Sequence, residues 1–157
     1  MIFETEIGCI SIGYINNTLF CEFGKHVSER EPSNRLLQQL DRYFRGNFTS
    51  TFDAMLPEGP PFTRKCWEAC RSVPFGKTIT YAELARRAGS PKAMRAAGQA
   101  MRKNPLTIIT PCHRVISSTG SLHGYAGATD PQSEELNRRK YLIEHELRTM
   151  YLCTFPL

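Results

Sequence analysis

Thr80-Tyr81-Ala82-Glu83-Leu84-Ala85-Arg86-Arg87-Ala88-Gly89-Ser90-Pro91-Lys92-Ala93-Met94-Arg95-Ala96-Ala97-Gly98-Gln99-Ala100-Met101-Arg102-Lys103 is the stretch whose reading decides the architecture. Thr80 with Glu83 three residues on has the form of a capping box, Leu84 and Ala85 supply an apolar side, and Gly89 supplies the stop. Ser90-Pro91 restarts a helix at once, with serine as N-cap and proline at the first helical position, and this second helix runs to about Lys103. Two short helices across a Gly-containing turn are a helix-turn-helix candidate. The second helix is slim: Ala93, Ala96, Ala97, Gly98 and Ala100 are edged by Lys92, Arg95, Arg102 and Lys103. Such a surface suits tight packing against a neighbour. It equally suits close approach to a nucleic-acid groove, with the cations meeting phosphates or entering the base stack, and both readings can hold on different faces.

Downstream, Asn104-Pro105 turns the chain into Thr107-Ile108-Ile109-Thr110, a β-branched run that reads as a buried strand. Pro111-Cys112-His113-Arg114-Val115 stands at its end, ahead of the turn-rich Ser117-Ser118-Thr119-Gly120. A cysteine so placed faces a pocket. A free thiol has a pKa of about 8.5, so it attacks near neutrality only with a base or a cation beside it, and His113 and Arg114 are the candidates. Adjacent residues of an extended strand point to opposite faces, so His113 serves Cys112 only if the chain bends there or a water bridges the two. The competing reading is a buried structural cysteine beside a histidine that caps a carbonyl. Further on, Gly120, Gly124 and Gly127 bracket His123 and Tyr125 in a segment suited to a pocket wall. A last helix, about Glu134 to Arg148, puts Leu136, Ile143 and Leu147 on one face and brings Glu144, His145 and Glu146 near its end.

Upstream, Thr63 reads as the N-cap of a helix, with Phe62 and Trp67 as a hydrophobic staple. Cys66, Trp67, Cys70 and Val73 continue its apolar face, and Pro74-Phe75-Gly76 ends it. Leu56-Pro57-Glu58-Gly59-Pro60-Pro61 breaks every periodicity. Before it, Ile7 to Tyr14 and Thr18 to Phe23 read as a β-hairpin about Asn16-Asn17, followed by a helix from about Ser33 to Arg45 that carries Leu36, Leu37, Leu40, Tyr43 and Phe44, with Gly46 at its C-terminal cap. The expected fold class is therefore α/β in the α+β sense. A small N-terminal sheet-and-helix domain (1–56) leads through a linker (57–61) to a mostly helical domain (62–150) with a helix-turn-helix and an active-site loop.

The 157 residues, 41% hydrophobic and 22% charged, have the composition of an ordinary globular protein that can bury a real core. No long apolar run predicts a membrane helix, and Glu4 and Glu6 stand where a secretory signal needs basic residues, so an intracellular, cytoplasmic protein is expected (nuclear if eukaryotic). The six cysteines read as thiols rather than disulfides. Cys66 and Cys70 lie one helical turn apart, which suits either a shared metal or, more simply, a buried helix face; Cys9, Cys21 and His26 lack an evident fourth ligand. The net charge of +5 is unevenly spread: residues 1–60 hold 5 Lys/Arg against 8 Asp/Glu, and residues 61–157 hold 15 against 7. The basic half contains Cys112. A polyanion, nucleic acid first, is the expected partner, although a basic surface also serves solubility or membrane contact.

Phe62-Thr63, Pro74-Phe75-Gly76, Ile79-Thr80-Tyr81, Ser90 through Ala96, Asn104-Pro105, Pro111 through Val115, Gly120, Gly124-Tyr125-Ala126-Gly127 and His145-Glu146 occur in one order. Together they resemble the O6-alkylguanine-DNA alkyltransferase family over residues 61–148. The resemblance implies a ribonuclease H-like layout for the N-terminal part, and for Cys112 the role of nucleophile and permanent alkyl acceptor. It implies that His113 takes the thiol proton through a water, that Glu146 orients that histidine, that Asn104 braces the active-site turn, and that Tyr81 donates to the departing guanine. It further implies that Tyr125 and Met101 pack on a flipped base, that the Ala126 amide serves O6, that Arg95 fills the gap left in the stack, and that Lys92, Ala96, Arg102 and Val115 belong to the DNA and substrate surface. The partner so implied is double-stranded DNA bearing O6-alkylguanine, with O4-alkylthymine left open. No cofactor or metal is called for, and the protein is expected to act once, as a monomer. Two departures from the family pattern are Ala126-Gly127-Ala128 where Ser-Gly-Gly is common, and an apparent insertion over 129–135. An alkyltransferase-like recognition protein is the competing class, disfavoured by the presence of Cys112, and an unrelated cysteine hydrolase ranks last.

Overall fold

The structure, a computed structural model, describes residues 1–47, 50–120 and 132–154. Three antiparallel strands, β1 (Ile2–Thr5), β2 (Gly8–Ile15) and β3 (Thr18–Phe23), form a sheet in the order β1-β2-β3. Asn16 and Asn17 join β2 to β3 with φ of 48° and 59°. A two-residue turn that matches the strand twist needs left-handed backbone at both positions, which asparagine tolerates. The hairpin is as expected; β1 is an addition, because four residues are too few to show a period.

Helix α1 (Asn34–Phe44) follows, with the Ser33 hydroxyl accepting from the Leu36 amide. It buries Leu36, Leu37, Leu40 and Tyr43. Helix α2 (Pro61–Arg71) begins ahead of the expected Thr63: Pro60 is the cap residue and Pro61, which needs no amide partner, opens the helix. Trp67 is buried in it, its Nε1 donating to the Ala100 carbonyl at 2.9 Å.

β4 (Ile79–Thr80) runs directly into α3 (Tyr81–Arg87). Thr80 caps α3 by accepting from the Glu83 amide at 3.1 Å, while the Glu83 carboxylate bonds Arg86 and Arg87, so half of the capping box is built. Helix α4 (Met94–Arg102) starts later than Ser90-Pro91 predicted. The Ala93 amide first closes a turn onto the Ser90 carbonyl at 2.9 Å, and no side chain caps the helix.

The largest correction concerns 107–110, which is no strand. Ile108 has a φ of 73°, left-handed backbone that an extended strand does not use, and Thr107 and Thr110, three residues apart, bridge to one another. The segment instead folds back on itself. The short strand β5 (Val115–Ile116) follows it and pairs in parallel with β4.

The last helix, α5 (Glu134–Thr154), is longer than expected. Its buried face is Leu136, Arg139, Leu142, Glu146 and Thr149, and Leu147, expected inside, is 52% exposed. The physical reason lies in pairing: Arg139 and Glu146 meet partners in the interior, so their face turns inward at the expense of Leu147. Among the described residues no helix is long and apolar enough to cross a membrane.

Apolar side chains form two clusters. One gathers α2, α3, α4, Val115, Leu136 and Cys112. The other gathers the sheet and α1, and takes in Phe75, Leu106, Ile108, Ile109 and Leu142 from the second half of the chain. The β3 edge extends the same way: the Cys21 amide donates to the Pro105 carbonyl and the Thr107 amide to the Cys21 carbonyl, both at 2.8 Å.

Candidate active site

Cys112–Arg114 form a single 3-10 turn between the folded-back loop and β5. The bend that a cooperating Cys-His pair requires is therefore built into the backbone. The Cys112 amide donates to the Thr110 carbonyl at 2.8 Å and the Arg114 amide to the Pro111 carbonyl at 2.9 Å. Asn104 closes the loop beneath: its Nδ2 donates to the Thr110 carbonyl at 2.8 Å and its Oδ1 accepts from the Leu106 amide at 3.0 Å. Arg71 adds a bond from Nε to the Thr110 hydroxyl at 2.9 Å. Cys112, His113 and Arg114 are all buried.

Glu146 is the hub behind this turn. Its Oε1 lies 2.6 Å from His113 Nε2 and accepts from the Tyr43 hydroxyl at 2.9 Å and from Arg114 Nη2 at 2.9 Å. Its Oε2 accepts from Arg114 Nε at 2.9 Å and from the Gly76 amide at 3.0 Å. Gly76 has a φ of 72°, and a Cβ there would collide with the Met150 sulfur, so only glycine presents its amide in this place. Arg114 Nη1 also donates to the Val73 carbonyl at 2.8 Å.

These contacts set the charges. Burial pushes the Glu146 carboxyl up, but His113 and Arg114 outweigh it and hold the group well below the usual carboxylate range. Burial pushes His113 down, against the pull of the neighbouring carboxylate and with the help of the Arg114 and Arg139 cations, which favours the neutral imidazole. An ionised carboxylate only accepts hydrogen bonds, so the proton of neutral His113 sits on Nε2. Nδ1, which is buried and has no hydrogen-bond partner among the described residues, then carries the lone pair. The carboxylate thus holds one ring nitrogen of His113 and leaves the other unoccupied.

The remaining expected residues fall into two groups. Tyr81 is half-buried at the start of α3; burial raises its pKa, the Arg139 guanidinium opposes the rise, and Cys112 is near enough to add to it. Met101 and Val115 are buried in the cluster that contains Cys112. Lys92, Arg95, Ala96 and Arg102 are exposed on or just before α4. A cleft of about 390 Å³ runs along that face, with Tyr81, Arg95, Gly98, Arg102 and Ser117 among its walls. Tyr125, Ala126 and the start of the 129–135 segment lie outside the described residues.

Three participants escaped the sequence reading. Arg114, considered only as a neighbour of the thiol, is the ion-pair partner of Glu146. Arg139, fully buried, donates to the Val115 carbonyl and faces Tyr81; its seven-residue spacing from Glu146, with Leu142 between them and Leu136 three residues before, was the available signal. Tyr43 lies 103 residues from Glu146 and left none. Among the described residues no group of three or more metal-ligating side chains comes together. Burial raises Cys66 to about 11 and Cys21 to about 12, so both remain thiols.

Residues 61–148 match the family model described as 6-O-methylguanine DNA methyltransferase, DNA binding domain. A methylated-DNA--protein-cysteine methyltransferase of Methanosarcina acetivorans is 46% identical over 104 residues, covering 66% of this chain and 67% of that protein. Matches to two further Methanosarcina relatives span only 61% and 59% of their length. Among solved structures, a Mycobacterium tuberculosis O6-methylguanine methyltransferase is 31% identical with a TM-score of 0.73, covering 94% of this chain and 92% of that one. A Mycobacterium tuberculosis OGT in complex with DNA is 30% identical with a TM-score of 0.75 at the same coverage. The family model covers more than half the chain, including Cys112, His113 and Glu146, and the chain belongs to the 6-O-methylguanine DNA methyltransferase family.

Proposed function

We propose that this protein repairs DNA by taking the alkyl group of an O6-alkylguanine onto its own Cys112, once and irreversibly. The observation that carries the proposal is the His113 Nε2 contact to Glu146 at 2.6 Å, which leaves Nδ1 of a neutral imidazole to take the thiol proton. The thiolate attacks the alkyl carbon, a C–S bond forms, the C–O bond breaks, and its electron pair passes to O6 of the departing guanine. Tyr81 donates a hydrogen bond to that base, and the Ala126 amide serves O6. The thioether has no route back, and no cofactor enters the balance.

Double-stranded DNA is the partner in this reading, supported by the basic second half and by the relative solved with DNA. The exposed, small-residue face of α4 lies in the minor groove, Lys92 and Arg102 meet phosphates, and Arg95 enters the stack as the target nucleotide is extruded. Extrusion fits the chemistry, since a buried thiol cannot reach the O6 substituent of a stacked base. Met101 and Val115, with Tyr125, form the apolar bed of the flipped base. Asn104 holds the loop under Cys112. The division into 1–56 and 62–150, with the transfer chemistry in the second part, and action as a monomer belong to the same proposal.

Intact-mass spectrometry after incubation with a duplex containing one O6-methylguanine tests it, with Cys112→Ser alongside. The expected result is a gain of one methyl group on the wild-type protein alone, mapped to the peptide holding Cys112. Tight binding of the lesion with no mass change would assign a recognition protein instead.

A further inference from the structure

Tyr43 sits on α1, in the N-terminal half, yet its hydroxyl reaches the Glu146 oxygen that faces His113, at 2.9 Å, and the residue is 1% exposed. Its placement is over-determined. The ring packs against Phe44, Phe52, Phe75 and His145 at centroid distances of 5.2 to 6.0 Å, and His145 Nε2 lies 2.7 Å from the Tyr43 carbonyl. A packed aromatic shell alone is served equally by phenylalanine. The hydroxyl therefore needs its own explanation, and it donates to the carboxylate behind the base.

We infer that Tyr43 is a positioning residue for the transfer reaction: its hydroxyl shares Glu146 Oε1 with His113 and so limits how strongly that carboxylate draws on the imidazole. Oε1 takes donors from His113, Tyr43 and Arg114, more than its two in-plane lone pairs serve well. Every donor there weakens the others. The groups facing this centre are Arg114 from the 3-10 turn, Arg139 and His145 from α5, the Gly76 amide from the loop after α2, and Tyr43 from α1. Arg114 and Arg139 disfavour a positive imidazole and Glu146 favours it. Without the tyrosine hydroxyl the balance tilts toward the carboxylate, the imidazolium becomes easier to form, and a protonated His113 cannot accept the Cys112 proton. This inference rests on the proposed role of His113 as base.

The test is Tyr43→Phe, which keeps the ring and its packing, with Phe52→Leu as a control that disturbs the same shell without touching the carboxylate. Single-turnover methyl transfer is followed against pH, and the His113 imidazole is titrated by 15N NMR in each protein. For Tyr43→Phe the acidic limb of the rate profile and the His113 titration are both expected to move to higher pH by about half a unit to one unit. On the acidic side the rate then falls about three- to tenfold, with the wild-type rate recovered at alkaline pH. Phe52→Leu is expected to lower thermal stability and move neither. A rate loss equal at every pH, or a His113 titration unchanged in Tyr43→Phe, overturns the inference and leaves Tyr43 a structural residue. A wild-type protein that gains no methyl group at all refutes the base assignment instead, and the NMR titration still decides whether Tyr43 tunes His113.

Discussion

Glu146 shows how a buried charge is kept ionised. It is 1% exposed and would be neutral if alone, yet the Arg114 guanidinium, the His113 imidazole, the Tyr43 hydroxyl and the Gly76 amide all donate to it. Its carboxyl is held well below its ordinary value of 4.5 and His113 below its ordinary 6.5. Both groups therefore bind fewer protons in the folded protein than in the unfolded chain over the interval between their folded and ordinary values. The stability they contribute is complete above the ordinary values and is lost on acidification. Thermal midpoints are expected to hold above pH 6.5, to decline below it as the unfolded chain protonates His113, and to fall more steeply below pH 4.5 through Glu146. In Glu146→Gln the steep lower part is expected to flatten, while stability at neutral pH drops by about 3–5 kcal/mol because the Arg114 charge is left buried without its partner. Urea titrations at three pH values measure both effects.

Helix α4 reconciles two readings of its small residues. Ala97 and Ala100 are buried and let α4 close against α2, where the Trp67 indole reaches the Ala100 carbonyl. Ala96 is exposed and Gly98 half-buried, and with Arg95 and Arg102 they make the cationic face along the cleft that Tyr81 borders. Packing and groove approach thus use different sides of one helix. On the proposed reading, Arg95→Ala is expected to slow repair of the lesion in duplex DNA by tenfold or more, about 1.4 kcal/mol or above. It is expected to leave methyl transfer from the free O6-methylguanine base unchanged, since Arg95 meets DNA and not the reacting atoms. Equal losses with both substrates would place Arg95 in the pocket itself.

The two halves of the chain are joined through the loop that precedes Cys112. Leu106 and Ile108 are fully buried in the cluster of the N-terminal sheet, and the backbone on either side of Leu106 is bonded to Cys21 of β3. Tyr43 and Glu146 add a polar tie between α1 and α5. Leu106→Ala is expected to cost about 2–5 kcal/mol, as for other buried leucines. Trp67 lies in the other cluster and is the single tryptophan, so its fluorescence reads that region separately. If the molecule unfolds as one unit, the Trp67 transition shifts by the same amount in urea as the far-ultraviolet signal; a Trp67 transition left at the wild-type midpoint would show two independent units.

By itself the sequence determined what local physics controls. Thr80 caps its helix because a hydroxyl meets an amide three residues on, Asn16-Asn17 turn the hairpin because asparagine accepts left-handed backbone, and the small residues of α4 fit close packing wherever the helix lies. The order of short motifs around Pro111 to Val115 was enough to indicate the family, and with it to single out His113 and Glu146, which meet in the interior. Tertiary structure alone decided the rest. A β-branched run at 107–110 reads as a strand until Asn104, Arg71 and the β3 edge hold it as a turned loop, and Leu147 reads as core until Arg139 and Glu146, each meeting its own interior partners, turn their face of α5 inward. The Tyr43 hydroxyl meets Glu146 across 103 residues because two helix faces pack together. No neighbour in sequence records which faces will meet, since that is settled by the burial of the whole chain.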